Sequence, residues 1–173
     1  MANFVRDVVA LRAPGDRAVI TLDAEDVRVE WTFEELMQAA GAFAASLAEL
    51  GVGRGTVLLT LVGSRIEYVL AILAGLWLGA PVLPCSEQLR AKDIALRLER
   101  ARPGLVLCDP RNRAALDAAA PSCPVLAPDP ALWSGAAEAP PFAELADPDP
   151  AFVLFTSGTV SYTHLTLPTK RIV

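Results

Sequence analysis

The 173-residue sequence predicts an α/β fold with a largely parallel sheet and flanking helices. Three observations carry that prediction. Helical patterns alternate with short apolar runs, two of those patterns open on Thr-x-x-Glu or Ser-x-x-Glu spacing, and glycines stand where helical periodicity stops. With 53% hydrophobic residues and a mean hydropathy of +0.40, the chain carries ample apolar side chain for a buried core.

Two strands come first. Residues 27–31 alternate apolar and polar as a half-buried strand does, and 18–22 is expected to pair with them through the polar turn 23–26. Thr32-Phe33-Glu34-Glu35 then has capping-box spacing, and Phe33, Leu36, Met37, Ala40, Phe43, Ala44 and Leu47 recur at helical intervals until Gly51. Gly51-Val52-Gly53-Arg54-Gly55 follows a helix and precedes the apolar run 56–62, the reverse of the order a dinucleotide-binding loop requires. Those glycines therefore predict a helix-to-strand turn with positive backbone angles.

Ser64-Arg65-Ile66-Glu67 repeats the capping spacing and opens a second helix, with Ile66, Val69, Leu70, Leu73 and Trp77 on its apolar positions. The uncharged stretch 68–85 approaches the ~18 residues that raise the question of a membrane span. Gly79 and Pro81 break it, so a helix ending at Gly79 and a buried strand at 81–83 are expected, with no span. Ile94, Leu98 and Ala101 mark one face of a charged helix ending near Pro103-Gly104, and 105–108 is a further strand. Pro110 opens a helix over 111–120. Eight of the fourteen prolines fall in 121–150, which reads as a connector pinned to the surface by Trp133, Phe142 and Leu145.

Charge excludes some partners. A net charge of −5 and a pI near 4.9, without a basic stripe, argue against nucleic acid or an anionic membrane surface. Three cysteines without Cys-x-x-Cys spacing and a single histidine leave no metal site, so Cys85, Cys108 and Cys123 read as small hydrophobes in a reducing cytosol. The first residues carry no charged segment followed by an apolar one, so no secretory signal is visible and a cytoplasmic location is expected.

The chemistry is expected at the far end. The apolar strand 151–155 runs directly into Thr156-Ser157-Gly158-Thr159, where backbone N–H groups and hydroxyls offer donors to a phosphate. Taken alone, the tetrapeptide is a weak signal and reads more readily as an ordinary strand-end turn.

Together with Trp31-Thr32-Phe33-Glu34-Glu35-Leu36, Leu50 to Gly55, and Leu76-Trp77-Leu78-Gly79-Ala80, the Phe155 to Thr159 corner resembles the N-terminal subdomain of the adenylate-forming superfamily. That resemblance covers about residues 16–159. The stretch Pro84 to Ile94, followed by Arg97-Leu98, is most similar to medium-chain acyl-CoA synthetases. It implies a truncated part of the adenylate-forming fold, from an enzyme that joins a carboxylic acid to AMP from Mg2+-ATP and then passes the acyl group to coenzyme A. By the same resemblance, Thr156, Ser157, Gly158 and Thr159 would bind the ATP phosphates.

The family loop would continue with Thr, Gly and a Pro-Lys pair, but Val160 to Val173 departs from it and contains no Ala, Gly, Asp or Glu. Val160 to Thr169 resembles the translation of a transposon-based sequencing adapter. The domain reading is therefore an N-terminal segment 1–15, a truncated AMP-binding subdomain 16–159 that includes the connector 121–150, and a non-native tail 160–173. Lys170 is wrongly spaced for the phosphate lysine. His164 lies in the foreign tail with no orienting partner, and Ser157 has neither a base nor a nucleophile elbow around it. No catalytic residue is assigned, and the chain as given is expected to be inactive. Two other readings stand beside this one: another adenylating ligase, such as a carrier-protein-loading or peptide-synthetase adenylation domain, and a non-catalytic α/β interaction domain.

Overall fold

A computed structural model describes residues 3–22, 26–135, 137–146 and 148–155. Most of the expected turn at 23–26, the tetrapeptide Thr156 to Thr159 and the tail 160–173 lie outside the described residues.

The first two strands, β1 (Arg17–Leu22) and β2 (Arg28–Thr32), pair antiparallel with Ile20 opposite Glu30, as their alternation predicts. Helix α1 (Phe33–Glu49) begins at the next residue. Thr32 holds extended backbone, its hydroxyl accepts from the Glu35 N–H at 3.2 Å, and the Glu35 carboxylate accepts from the Thr32 N–H at 2.8 Å. These reciprocal bonds satisfy two of the donors a helix start leaves open, and they hold the Glu35 carboxyl below its ordinary range. Gly51 and Gly55 adopt φ of 82° and 80°, the left-handed angles expected of the turn into the sheet.

A second sheet is parallel, built from β3 (Leu58–Leu61), β4 (Val82–Pro84), β5 (Leu105–Cys108) and β6 (Val125–Leu126) in the order β4-β3-β5-β6. β3 and β5 are buried along their whole length. Leu58, Leu105 and Leu107 face α1 and α2 (Ile66–Leu78), whereas Leu59, Leu61, Val106 and Cys108 face α3 (Ala91–Ala101) and α4 (Arg113–Ala118). Coverage on both faces explains why these strands read as continuous apolar runs rather than alternating ones. Residues 151–155 add to the β4 edge: Phe152 bridges Val82 in parallel, with Val153 N–H donating to the Val82 carbonyl at 3.0 Å.

Helix α2 stops at Gly79, whose φ of 69° places it in the left-handed region. The helix is 13 residues long, and among the described residues no helix is long and apolar enough to cross a membrane. Its start differs from expectation. The residue before the helix is Arg65, with no side-chain cap, so Ser64-Arg65-Ile66-Glu67 is not a capping box. Because the helix opens at Ile66, Glu67 stands second in it rather than third, out of register for the reciprocal bond.

The proline-rich segment does more than connect. It contributes β6, which pairs with β5 through Val106 and Val125, and it buries Trp133 against Phe43 at 5.6 Å between ring centroids. Phe142 stacks on Trp77 at 4.1 Å, and Trp77 Nε1 donates to the Pro140 carbonyl at 2.8 Å. Asn3 closes the same corner from the other terminus. It is buried, and its Nδ2 donates to the carbonyls of Leu76, Trp77 and Ala143, two of which belong to the open C-terminal end of α2.

Gly79 is fixed by space as well as by angle, since a Cβ there would meet Leu145 Cδ2 at 2.8 Å and Ala143 Cβ at 3.0 Å. Gly79→Ala is expected to lower stability by about 1–2 kcal/mol, seen as a lower urea midpoint at an unchanged denaturant slope.

Candidate functional site

In a parallel sheet the chain leaves every strand at the same edge. After β3 it turns to α2 on one face, and after the neighbouring β4 it turns to α3 on the other. Loops that diverge from adjacent strands leave a crevice between them, and such switch points are where open α/β sheets bind ligands. The crevice is present. A cavity of about 420 Å3 is lined by Val62, Gly63 and Ser64 after β3, Tyr68 of α2, and residues 84–88 at the end of β4. Ser64, Ser86, Tyr68 and Gln88 give it hydroxyl, phenol and amide groups suited to hydrogen bonding.

An ionic network closes the edge beside that cavity. Asp109, directly after β5, is buried, and its carboxylate accepts from Arg111 Nε at 3.1 Å and from the Arg111 backbone N–H at 2.9 Å. Arg65, at the foot of α2, pairs with the other carboxylate oxygen. Arg111 Nη2 continues to Glu87 Oε1 at 3.0 Å, while Asn112 Nδ2 donates to the Glu87 carbonyl at 2.7 Å. Glu87 also packs against Gly63, where a Cβ would collide with its carboxylate. The ends of β3, β4 and β5 are thereby tied together by side chains from three separate loops.

The hydrogen bonds from Arg111 hold the Asp109 carboxyl below its ordinary range against the opposing cost of burial, with the charge of Arg65 adding to the effect. The Arg111 guanidinium is pushed up by the same partner. Cys85 and Cys108 behave as buried hydrophobes: burial pushes both thiols up to about 11, so neither is a thiolate at neutral pH. Among the described residues no three His, Cys, Asp or Glu side chains converge as a metal cluster.

Of the predicted phosphate-binding residues, Thr156, Ser157, Gly158 and Thr159 all lie outside the described residues, as do His164 and Lys170. The strand that precedes them is described. It runs parallel to β4, so Phe155 stands at the edge of the sheet that carries the crevice. Phe155 packs among the α3-side core residues, and the Arg97 guanidinium lies 5.0 Å from its ring centroid. Sequence reasoning missed the Arg65–Asp109–Arg111–Glu87 network, because its members are distant in the chain, Arg65 and Asp109 by 44 residues. One signal was available: Asp109 is an acid placed immediately after a wholly apolar strand.

Asp109→Ala removes four charge-assisted hydrogen bonds and is expected to cost about 2 kcal/mol at neutral pH. A carboxyl whose folded pKa is depressed contributes stability above its unfolded value and loses it as pH falls through the folded value. The stability gap between wild type and Asp109→Ala, from urea titrations at several pH values, should therefore be constant near neutrality and shrink below about pH 4.

Residues 7–161 match the family described as AMP-binding enzyme. The uncharacterized acyl-CoA ligase YtcI of Bacillus subtilis (strain 168) is 36% identical over 100 residues, covering 57% of this chain and 19% of that protein. The mitochondrial acyl-coenzyme A synthetase ACSM3 of Pongo abelii is 30% identical over 130 residues, covering 70% of this chain and 22% of that protein. A crystal structure of Brucella canis acyl-CoA synthetase superposes with a TM-score of 0.82 at 21% identity, over 92% of this chain and 32% of that one. The chain thus spans about a fifth of these two relatives and a third of the solved structure, with which it shares its fold. From the family match over most of its length, together with the parallel sheet and its switch-point crevice, the chain belongs to the AMP-binding enzyme family.

Proposed function

We propose that this chain is the N-terminal part of an AMP-forming acid–CoA ligase, and that Thr156, Ser157, Gly158 and Thr159 form part of its ATP-phosphate loop. In the reaction a carboxylate oxygen attacks the α-phosphorus of ATP, pyrophosphate leaves, and the thiol of coenzyme A then displaces AMP from the acyl adenylate. The observation that carries the reading is the direction of the 151–155 segment. It runs parallel to β4, so its last described residue, Phe155, stands at the carboxyl edge, beside the divergence of the β3 and β4 loops.

Donors rooted there suit the chemistry. Backbone N–H groups and hydroxyls that are already oriented need no reorganisation as negative charge moves onto the departing pyrophosphate. Mg2+ accompanies ATP and neutralises its phosphates, held largely by the phosphates themselves and by water rather than by a dedicated protein cage. The carboxylic acid, ATP and coenzyme A are the small-molecule partners of this reading. Cys85, Cys108 and Cys123, free thiols in the structure, suit a reducing cytoplasm. The tail 160–173 stands in this reading where the rest of the phosphate loop belongs, so the 173-residue chain lacks a working site.

A purified 173-residue chain should show no carboxylate-dependent exchange of pyrophosphate into ATP. An independently sequenced copy of the gene should continue past codon 159 into Thr-Gly-x-Pro-Lys, and its longer product should catalyse that exchange. In that product Ser157→Ala is expected to reduce exchange roughly 100- to 1,000-fold, the scale of losing one preorganised donor. Exchange by the 173-residue chain, or the same tail recovered from an unrelated library, would overturn the reading.

A further inference from the structure

Two surface strips, far apart in sequence, lie over the C-terminal end of α2. Residues 3–9 put Val5 and Val9 into the core and leave Phe4 and Val8 exposed. None of residues 140–146 is buried, and this second strip rests on α2 mainly through Trp77. Phe142 stacks on the indole, Trp77 Nε1 donates to the Pro140 carbonyl, and the Trp77 carbonyl accepts from the Ala143 N–H at 2.9 Å. Ala143 and Leu145 fill the space beside Gly79.

Asn3 joins the strips. Only 1% exposed, it shares the two N–H groups of its amide among three carbonyls: Leu76 at 3.1 Å and Trp77 at 3.3 Å on the helix, and Ala143 at 3.0 Å on the second strip. Its Oδ1 accepts from the Val5 N–H at 3.1 Å, so the amide is also fixed to its own strip. Arg6 adds an ion pair to Glu144 at 2.9 Å, but both partners are in contact with solvent and the pair contributes little. The buried amide is the stronger tie. Moving either strip away alone strands buried polar groups on the other, which costs more than a made hydrogen bond contributes.

We infer that residues 3–9 and 140–146 form a clasp that opens as one unit over the end of α2, with Asn3 as its catch, while the parallel sheet stays closed. Segments open locally where few apolar contacts are buried, and both strips fit that description, whereas β3 and β5 are buried along their whole length. The coupling is reciprocal, so whatever loosens one strip loosens the other across 140 positions of sequence. Opening uncovers Trp77 and the last carbonyls of α2. The state of residues 3–9 therefore decides whether that end of the helix is covered. None of these contacts depends on adenylation chemistry.

The test is residue-resolved amide hydrogen exchange of the 173-residue chain. Four amides report: Ala10, bonded to the Val5 carbonyl, and Ala143, bonded to that of Trp77, belong to the clasp, whereas Val106 and Asp109, bonded to Pro124 and Leu61, belong to the sheet. In the wild type the two clasp amides should show the same opening equilibrium, and a larger one than the sheet amides. Asn3→Ala should speed exchange at both Ala10 and Ala143 at least about tenfold, the scale of stranding a buried polar partner, and leave Val106 and Asp109 unchanged. Phe142→Ala alters only the second strip and its contact with Trp77, yet it should speed Ala10 by the same factor as Ala143. An Ala143 amide indifferent to Asn3→Ala, an Ala10 amide indifferent to Phe142→Ala, or all four amides accelerated together would each overturn the proposal.

Discussion

The rest of the structure depends on the burial of β3. It is hydrogen-bonded to β4 on one side and β5 on the other, and covered by helices on both faces. A strand in that position must satisfy every backbone group through its neighbours, because water reaches none of them. It is also apolar on both faces through Leu58, Leu59 and Leu61, with the buried Thr60 as the exception. Once β3 is central, the strands on either side need crossovers to run parallel, and those crossovers are α2 and α3 on opposite faces. The crevice between the β3 and β4 loops is then a consequence of topology, not a separate feature. Burial, connectivity and the location of the cavity are one constraint seen at three scales.

What was legible in the sequence was mostly local. The Thr32–Glu35 capping box, the left-handed Gly79 and the strand 105–108 each rest on residues within a few positions of one another, and each is found where the pattern puts it. Spacing alone misled at Ser64-Arg65-Ile66-Glu67, because the helix starts one residue later and Arg65 is drawn to Asp109 instead. Over 121–150 the pinning by Trp133 and Phe142 is found as the sequence suggests, while the two-residue β6 is an addition that the prolines did not announce. Asn3 shows the limit most clearly: its value lies in carbonyls of residues 76, 77 and 143, and nothing near it in sequence announces them.

The functional region divides along the same line. Thr156 to Thr159 stood out because small hydroxyl residues and a glycine after an apolar strand form a local pattern. The Arg65–Asp109–Arg111–Glu87 network did not, because it exists only once three strand ends are side by side. Only Asp109 is buried, whereas the side chains of Arg65 and Arg111 are 43% and 67% exposed, so water screens these pairs and limits their net contribution to stability. Their effect here is better described as positional. Asp109 receives hydrogen bonds from a backbone and a side chain while facing a second guanidinium, so the three loops can shift only by breaking several charge-assisted bonds together.

That positional role bears on how a phosphate loop could work at this edge. A donor set stabilises developing charge only if it is held in place before the charge appears, so the root of the loop matters as much as its donors. In the proposed reading that root is the 151–155 segment, which among the described residues has a single bridge to Val82 and therefore little backbone support of its own. Side chains supply the remainder: Val153 and Phe155 sit in the core under α3, and Arg97 lies over the Phe155 ring while its Nη1 donates to the Asp93 carbonyl at 2.8 Å. A sheet edge with one bridge would be a poor foundation by hydrogen bonding alone. Anchored through Phe155 to a helix, the segment is held by its side chains where its backbone pairing is thin.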